Sequence, residues 1–267
     1  MPTPRPRVHP AVRGFDRAAA AYEHARPDYP VAALRFLGRA LPIRRGTTVL
    51  ELGSGTGKFT RALAPLGAAR IAIEPIEGMR AVFHETVPEV PVLDGTAERI
   101  PLPTGFADSV VCAQAFHWFR VRSALKEIRR VLRRGGGLGL VWNTRNDRVG
   151  WSRKLTELVE EYRREAPVWR ERTGPGYQRV MLSPVFRDPK IGFTRLEYRK
   201  FRHVQVGTPE LFVERTLSIS SIAVLSPREQ HVVADRVREM LATDPDTRGR
   251  RRLVLPYRTD VYWCHTR

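Results

Sequence analysis

Three groups of residues in this 267-residue chain have the types and spacing to do chemistry. The first is Glu51-Leu52-Gly53-Ser54-Gly55-Thr56-Gly57, an acid followed by alternating glycines. Each glycine can take a positive φ and lets backbone come close to a ligand. A helix starting at about Lys58 would add free N–H groups and the positive end of its dipole, which suit a carboxylate or phosphate. The second is Glu74, which ends the apolar run Ile71-Ala72-Ile73 and lies 21 residues after Gly53. In a nucleotide-binding α/β sheet an acid at that place accepts hydrogen bonds from both ribose hydroxyls, as an alternative to a plain surface carboxylate. The third is Gln114-Ala115-Phe116-His117-Trp118-Phe119, at the end of an apolar run, where open α/β sheets bind ligands. A histidine titrating near neutrality could serve as base for an acceptor hydroxyl or amine; a structural histidine bonded to backbone is the alternative reading of His117.

Two familiar glycine loops are excluded by single positions. A phosphate-binding P-loop ending in Gly57-Lys58 would need glycine and Ser/Thr where Leu52 and Phe59 stand, and the dinucleotide fingerprint would need glycine where Lys58 stands. An ordinary strand-to-helix turn and an acid-x-Gly-x-Gly-x-Gly ligand loop remain.

The elements that must position these groups follow from periodicity and punctuation. Thr47, Val49, Leu50 and Leu52 suit a strand covered on both faces. A helix is expected over residues 58–66. Further strands are expected over 71–73, 90–93, 106–113 and 138–143. Between the last two, residues 124–132 have helical spacing, with Leu125, Ile128, Val131 and Leu132 inward and Arg134-Gly135-Gly136-Gly137 as the cap. Residues 1–13 read as a loose arm. A helix over 16–26 is broken by Pro27-Asp28-Tyr29-Pro30 and restarts through Leu41. After Asn143 a helix over 151–164, a Pro/Gly-rich stretch, a strand or hairpin over 193–206, helices over 208–217 and 226–242, and an alternating aromatic strand over 253–265 complete the chain.

In order and spacing, residues 15–147 resemble the class I S-adenosylmethionine (SAM)-dependent methyltransferases, in particular the methyltransferase type 11 group to which trans-aconitate methyltransferase is related. The resemblance is carried by Phe15, Ala21-Tyr22, Arg26-Pro27-Asp28-Tyr29-Pro30, the glycine loop, Glu74, Asp94-Gly95-Thr96-Ala97-Glu98, Ala115-Phe116-His117-Trp118-Phe119 and the Arg-Gly-Gly block. It implies an α/β fold with a Rossmann-like, seven-stranded, mostly parallel sheet, an N-terminal helical lid and a helical cap inserted after strand five. It implies residues 1–147 as lid plus cofactor core, 148–192 as cap, and 193–267 as the completion of the sheet, whose antiparallel strand residues 253–265 can supply. It implies SAM as cofactor, contacted by Tyr22, Arg26, Glu51, Gly53, Ser54, Gly55, Gly57, Glu74, Pro75, Met79, Thr96, Ala97, Glu98, Gln114 and Phe116. His117 would face the methyl group or the acceptor. Arg26 could pair with the cofactor's carboxylate; for Tyr22 and Met79, packing in the core is the competing role. Thr96 stands where the family usually has Asp, so the adenine contact falls to a weaker hydroxyl or to Asp94. Trp142, Asn143, Arg145, Trp151, Trp169 and Tyr177 are candidate acceptor contacts, with packing or a surface position as the competing reading for each, and Arg145 could hold the carboxylate of an acidic acceptor.

Composition limits the rest. With 42% hydrophobic residues the chain can bury a sizeable core. The net charge of +18 would suit RNA or a membrane surface, but only five of the 46 basic residues are lysine and the arginines are scattered, which fits compositional bias better than a designed face. Cys112 and Cys264 offer neither a disulfide framework nor a metal cluster, and no apolar signal segment opens the chain, so a cytoplasmic protein is expected. No run approaches the ~18 apolar residues needed to span a bilayer. Three functions are compatible: small-molecule methylation, most simply on oxygen; RNA or protein methylation using the basic surface; and SAM binding without catalysis. The second lacks the Asn/Asp-Pro-Pro-Tyr/Phe motif of amino-group methylators after strand four.

Overall fold

The computed structural model describes residues 19, 22–164 and 184–267, so Trp169 and Tyr177 lie outside the described residues. Seven strands form one sheet in the order β3-β2-β1-β4-β5-β7-β6: β1 (Thr48–Leu52), β2 (Ala69–Ile73), β3 (Val92–Leu93), β4 (Ala107–Ala113), β5 (Leu132–Arg145), β6 (Glu197–Gly207) and β7 (Leu253–His265). The first five run parallel, while β7 pairs antiparallel with both β5 and β6. This is the Rossmann-like arrangement that the sequence implied. Because β1 lies between β2 and β4, the order reverses there and leaves a crevice beyond the carboxyl ends of β1 and β4.

Strand alternation assigns each side chain to a face. Val49, Val111, Val141 and Val261 turn to one face, against Leu37 and Leu41 of and just after α1 (Val31–Ala40) and Phe59 of α2 (Lys58–Ala62). Leu50, Leu52, Val110, Cys112, Leu140 and Trp142 turn to the other, against Leu125, Ile128 and Val131 of α4 (Val121–Val131). α3 (Glu77–Thr86) covers Ala72 and Val92 with Phe83. On β5 the helix α1 comes so close that a Cβ at Gly137 would stand 2.3 Å from Leu41.

Most expected boundaries shift by a few residues, and two expected elements differ in kind from the observed ones. The helix over 58–66 is two pieces, α2 and a 3-10 turn over Ala64–Leu66, because Pro65 cannot continue the α-helix and Gly67 ends it at φ 77°. The Arg-Gly-Gly block does not cap α4 but belongs to β5, which runs over 14 residues and shifts register against β4 between Ala107 and Ser109. The register shift leaves Arg133, Arg134 and Gly135 exposed, and pairing resumes at Gly137.

Of residues 148–192, expected as a cap, 165–183 lie outside the described residues, and α5 (Gly150–Arg164) is the helix that precedes them. Its Trp151, Leu155 and Val159 share one core with α6 (Pro209–Leu217), α7 (Ser220–Ala223) and α8 (Pro227–Thr243) and with Leu253, Leu255 and Tyr257 of β7. α6 and α8 begin with side-chain caps from Thr208 and Ser226, and Ser226 and Glu229 form a capping box. Among the described residues no helix is long and apolar enough to cross a membrane.

Candidate active site

The glycine loop leaves β1 at the reversal point. Gly53, Gly55 and Gly57 all have positive φ (65°, 56° and 86°). The reasons for glycine differ along the loop. A Cβ on Gly53 would lie 2.7 Å from the Cβ of Ala115, and one on Gly57 would lie 2.6 Å from Val87. A Cβ on Gly55 would meet nothing nearer than the sulfur of Met79 at 4.0 Å, so the space over Gly55 is open. The flanking glycines are required by packing, the central one by access.

Glu74 closes this loop from β2. Its two carboxylate oxygens accept the N–H groups of Gly55 at 2.8 Å and Ile76 at 3.0 Å, and Arg80 donates to its backbone carbonyl at 2.8 Å. Burial outweighs these bonds and raises its carboxyl to about 7. Glu51, under the loop and 2% exposed, accepts from the Thr60 hydroxyl and is raised by burial to about 8. A buried acid raised in this way makes the folded state bind more protons than the unfolded chain between about pH 4.5 and 8. The sign follows: its favourable contribution is complete below the unfolded pKa and is lost as pH rises through the folded value. Glu51→Gln, which keeps an acceptor for Thr60, should therefore melt higher than the parent at pH 8 by about 5 °C and show no gain at pH 5. Scanning calorimetry at both pH values checks this; an equal change at both would show that the Glu51 charge does not govern it.

A pocket open to solvent lies at the glycine loop, and its lining includes Tyr22, Arg26, Glu51, Gly53, Ser54, Gly55, Gln114 and Asn143 of the residues singled out from the sequence, while Glu74 is not part of that lining. Gln114 ends β4 at φ 57°, the one positive φ outside glycine among the described residues. Its amide nitrogen donates to the carbonyl of Asn143 at 3.0 Å, tying the ends of β4 and β5 together. Asn143 donates to the backbone carbonyl of Asp28 at 3.1 Å and accepts from Thr259 at 2.7 Å. Tyr22 stacks under Arg26, whose guanidinium carbon is 4.6 Å from the ring centroid. Arg26 donates to the Ser218 hydroxyl (3.1 Å) and carbonyl (2.7 Å). Burial, then the neighbouring charge of Arg215, lowers the Arg26 guanidinium to about 9.

Other candidates sit elsewhere. Met79, Ala97 and Phe116 are buried, and Pro75 lies half-buried beside Glu74. The Thr96 hydroxyl is buried without a hydrogen-bond partner among the described residues, and Asp94 lies 3.5 Å from Arg80. Glu98 accepts the N–H of Arg120 at 2.7 Å, at the start of α4. His117 is half-buried in a 3-10 turn, where its Nδ1 accepts from the Trp142 indole at 3.4 Å. Trp142 itself turns away from Asn143 to the opposite face of the sheet and packs edge-on against Tyr262 at 5.8 Å. Trp151 packs against Phe212 at 5.3 Å in the helical core. Arg145 pairs in register with Tyr257 of β7. Strand alternation and core packing thus separate Trp142 and Trp151 from the pocket, while Asn143 lines it.

The pocket also contains residues that the sequence reading did not single out as ligands: Pro27, Tyr29, Lys58, Phe59, Ala113 and Arg215. Tyr29 packs edge-on against Phe59 at 4.7 Å, and burial pushes its phenol up. Lys58 holds Asp28 at 3.0 Å. Arg215 is the surprise, a guanidinium only 7% exposed. Its one sequence signal is position, three residues after buried Phe212 on the inward face of α6.

These groups fit SAM. Glu74 has a lone pair left on each oxygen for a ribose hydroxyl, Gly55 leaves its face open, and the Ser54 and Thr96 hydroxyls are buried without a hydrogen-bond partner among the described residues. Among the described residues no group of three or more His, Cys, Asp or Glu could hold a metal ion.

Comparison with known proteins agrees. A methyltransferase domain model matches residues 50–140. An uncharacterized methyltransferase of Mycobacterium tuberculosis is 38% identical over 247 residues, covering 92% of each chain. An uncharacterized methyltransferase-like protein of Schizosaccharomyces pombe is 35% identical over 252 residues, covering 94% of each. A provisionally assigned type II methyltransferase from Anaeromyxobacter dehalogenans shares the fold, with TM-score 0.62 and 22% identity over 91% of this chain and 97% of that one. Haemonchus contortus phosphoethanolamine N-methyltransferase 2, solved with S-adenosylhomocysteine, aligns with TM-score 0.55 and 16% identity over 94% of this chain and 57% of that one. With its sheet order, its glycine loop and relatives matching nearly its whole length, the chain belongs to the SAM-dependent methyltransferases that carry the type 11 methyltransferase domain.

Proposed function

We propose that this enzyme methylates an oxygen of a small-molecule acceptor, a carboxylate or a phenol. The observation that carries the reading is the pocket's lining: among the described residues it holds three cationic side chains, Arg26, Lys58 and Arg215, together with Tyr22, Tyr29 and Glu51, and no histidine. Cations beside an acidic acceptor favour its ionised form, and an ionised oxygen needs no general base. The bound cofactor supplies an already activated methyl group on its sulfonium. The protein's own work is then placement and exclusion of water. Segment 22–29 and α6 wall the pocket, and Gln114 and Asn143 lock the strand ends beneath it. No step of this reading needs His117 as a base.

Calorimetric titration with S-adenosylhomocysteine, NAD and ATP, followed by an acceptor screen with methyl-labelled SAM, tests it. The expected result is micromolar binding of S-adenosylhomocysteine alone, and label transferred to small acids or phenols. Label appearing in RNA or protein and in no small acid or phenol would overturn the acceptor assignment.

A further inference from the structure

The sheet ends at β6, and alternation divides the side chains of this strand between two faces. Phe201 turns toward Phe36 of α1, and Gln205 donates to the carbonyl of Ala25, so that face is covered. The other face carries Lys200, Arg202, Val204 and Val206, all exposed, with Val254 of β7 directly opposite Val206. Val204, Val206 and Val254 are 54%, 43% and 51% exposed, whereas the alternate residues of β7, Leu253, Leu255 and Tyr257, lie in the core with α5 to α8. Three valines thus form an apolar ridge in water at the rim of the sheet. Cations stand at both ends of it. Lys200 and Arg202 precede the valines on β6, and the turn from α8 into β7 presents Arg248, Arg250, Arg251 and Arg252 just before Val254, all four exposed. None of these six side chains has an ion-pair partner among the described residues, whereas Arg122, Arg133 and Arg236 elsewhere on the surface hold Asp188, Asp108 and Glu161. The turn is firmly built: the Thr247 hydroxyl donates to the carbonyl of Leu241 at 2.7 Å, Lys154 holds Asp244 at 2.6 Å, and the N–H of Arg250 returns to the carbonyl of Thr247 at 3.1 Å.

We propose that this ridge docks the enzyme on an anionic membrane surface, the three valines entering the boundary between headgroups and acyl chains and the flanking cations meeting acidic headgroups. An apolar strip framed by unpaired cations has the two components that interfacial binding adds together, buried apolar area and attraction to anionic lipid. Nucleic acid suits the ridge less, because single strands stack their bases on aromatic faces. The nearest exposed ring is that of Tyr198, and it is committed, with its hydroxyl on Asp260 at 2.6 Å and its ring against Tyr262 at 4.8 Å. A second copy pairing edge to edge would crowd the like charges of two ridges along one seam. Segment 22–29 packs on the opposite face of β6, so docking leaves that wall of the pocket clear. The proposal stands apart from the acceptor reading above, since it concerns where the enzyme works and not which atom it methylates.

The test is vesicle flotation of the full-length protein with phosphatidylcholine alone and with phosphatidylcholine containing about 30% phosphatidylglycerol. Three triple variants are compared with the parent: Arg250→Gln with Arg251→Gln and Arg252→Gln; Val204→Thr with Val206→Thr and Val254→Thr; and, as a control of equal charge, Lys126→Gln with Arg129→Gln and Arg134→Gln, exposed cations of α4 and the start of β5. The parent should bind the anionic vesicles and not the neutral ones. At about fivefold per arginine, the arginine variant should bind about 100-fold more weakly. The valine variant, at unchanged charge, should lose about 10-fold, and the control less than about fivefold. All three should melt within about 2 °C of the parent, because the changed side chains are exposed. If the valine variant fails to fold, the arginine variant and its control decide alone. Equal losses in the arginine variant and the control would reduce the effect to net charge and overturn the proposal. Failure of the parent to bind anionic vesicles would overturn it, as would single-stranded RNA binding tighter than vesicle binding and indifferent to the valine changes. A parent dimer that the valine variant dissolves would assign the ridge to a second copy and overturn it as well.

Discussion

Gly55→Ala should leave the protein folded yet weaken S-adenosylhomocysteine binding by about 100-fold or more, whereas Gly57→Ala should chiefly destabilise the fold. Both positions have positive φ, which costs an L-residue roughly 1–2 kcal/mol. Their surroundings separate them. At Gly57 the added methyl would stand 2.6 Å from Val87 and 2.9 Å from Phe83, in the core beneath α3. Overpacking of that kind adds about 1–3 kcal/mol, and the melting temperature should fall by about 10 °C. At Gly55 the methyl meets no protein atom nearer than 4.0 Å and projects into the space over the loop. Calorimetric titration and a melting curve on each variant check the pair. Unchanged binding in Gly55→Ala would mean that the open face of the loop is not where the cofactor lies.

Glu74→Gln should weaken S-adenosylhomocysteine by about 100-fold and abolish a pH dependence expected of the parent. The carboxylate already accepts from Gly55 and Ile76, so its remaining lone pairs are fixed in direction by the fold. Two charge-assisted bonds to ribose hydroxyls are together worth about 3 kcal/mol or more. Because burial raises the free carboxyl to about 7, the group is largely protonated at pH 6 and largely ionised at pH 8. Accepting two hydroxyl protons favours the ionised form, so binding releases a proton below pH 7. Affinity should therefore rise about tenfold from pH 6 to pH 8 and level off above. The gradient, measured in two buffers of different ionisation enthalpy, should vanish in Glu74→Gln; a gradient that persists in the variant would assign the titration to another group.

The cofactor side of this molecule was legible in the sequence because its signals are local. Alternating glycines after an apolar run state where φ must be positive, and an acid ending the next apolar run is placed by the sheet that follows from the pattern. Acceptor-side residues were harder to read because their placement depends on distant packing. Trp142 and Asn143 are neighbours with equal claims on paper. Only the docking of α1 against the glycines of β5 decides that Asn143 shares the pocket face and Trp142 the opposite core. Arg215 is one arginine among many in a basic chain, and its spacing from Phe212 is the one local sign that its charge is buried. The Arg-Gly-Gly block shows the same limit. Glycines after a helix read as a cap, but here Gly136 and Gly137 pass between backbone carbonyls and Leu41, a close fit set by residues about 30 and 100 positions away.

The segment that carries Tyr22 and Arg26 is fastened to both halves of the chain. Glu23 holds Thr56 and Arg61, and Asp28 holds Lys58, on the cofactor loop side. Ala25, Arg26 and His24 are held by Gln205, Ser218 and Glu214 on the other. A strap tied at two shores cannot peel from one end. Moving it off the pocket takes the release of both sets of ties, so the wall it forms is as firm as the weaker of two separate fastenings together with the stronger.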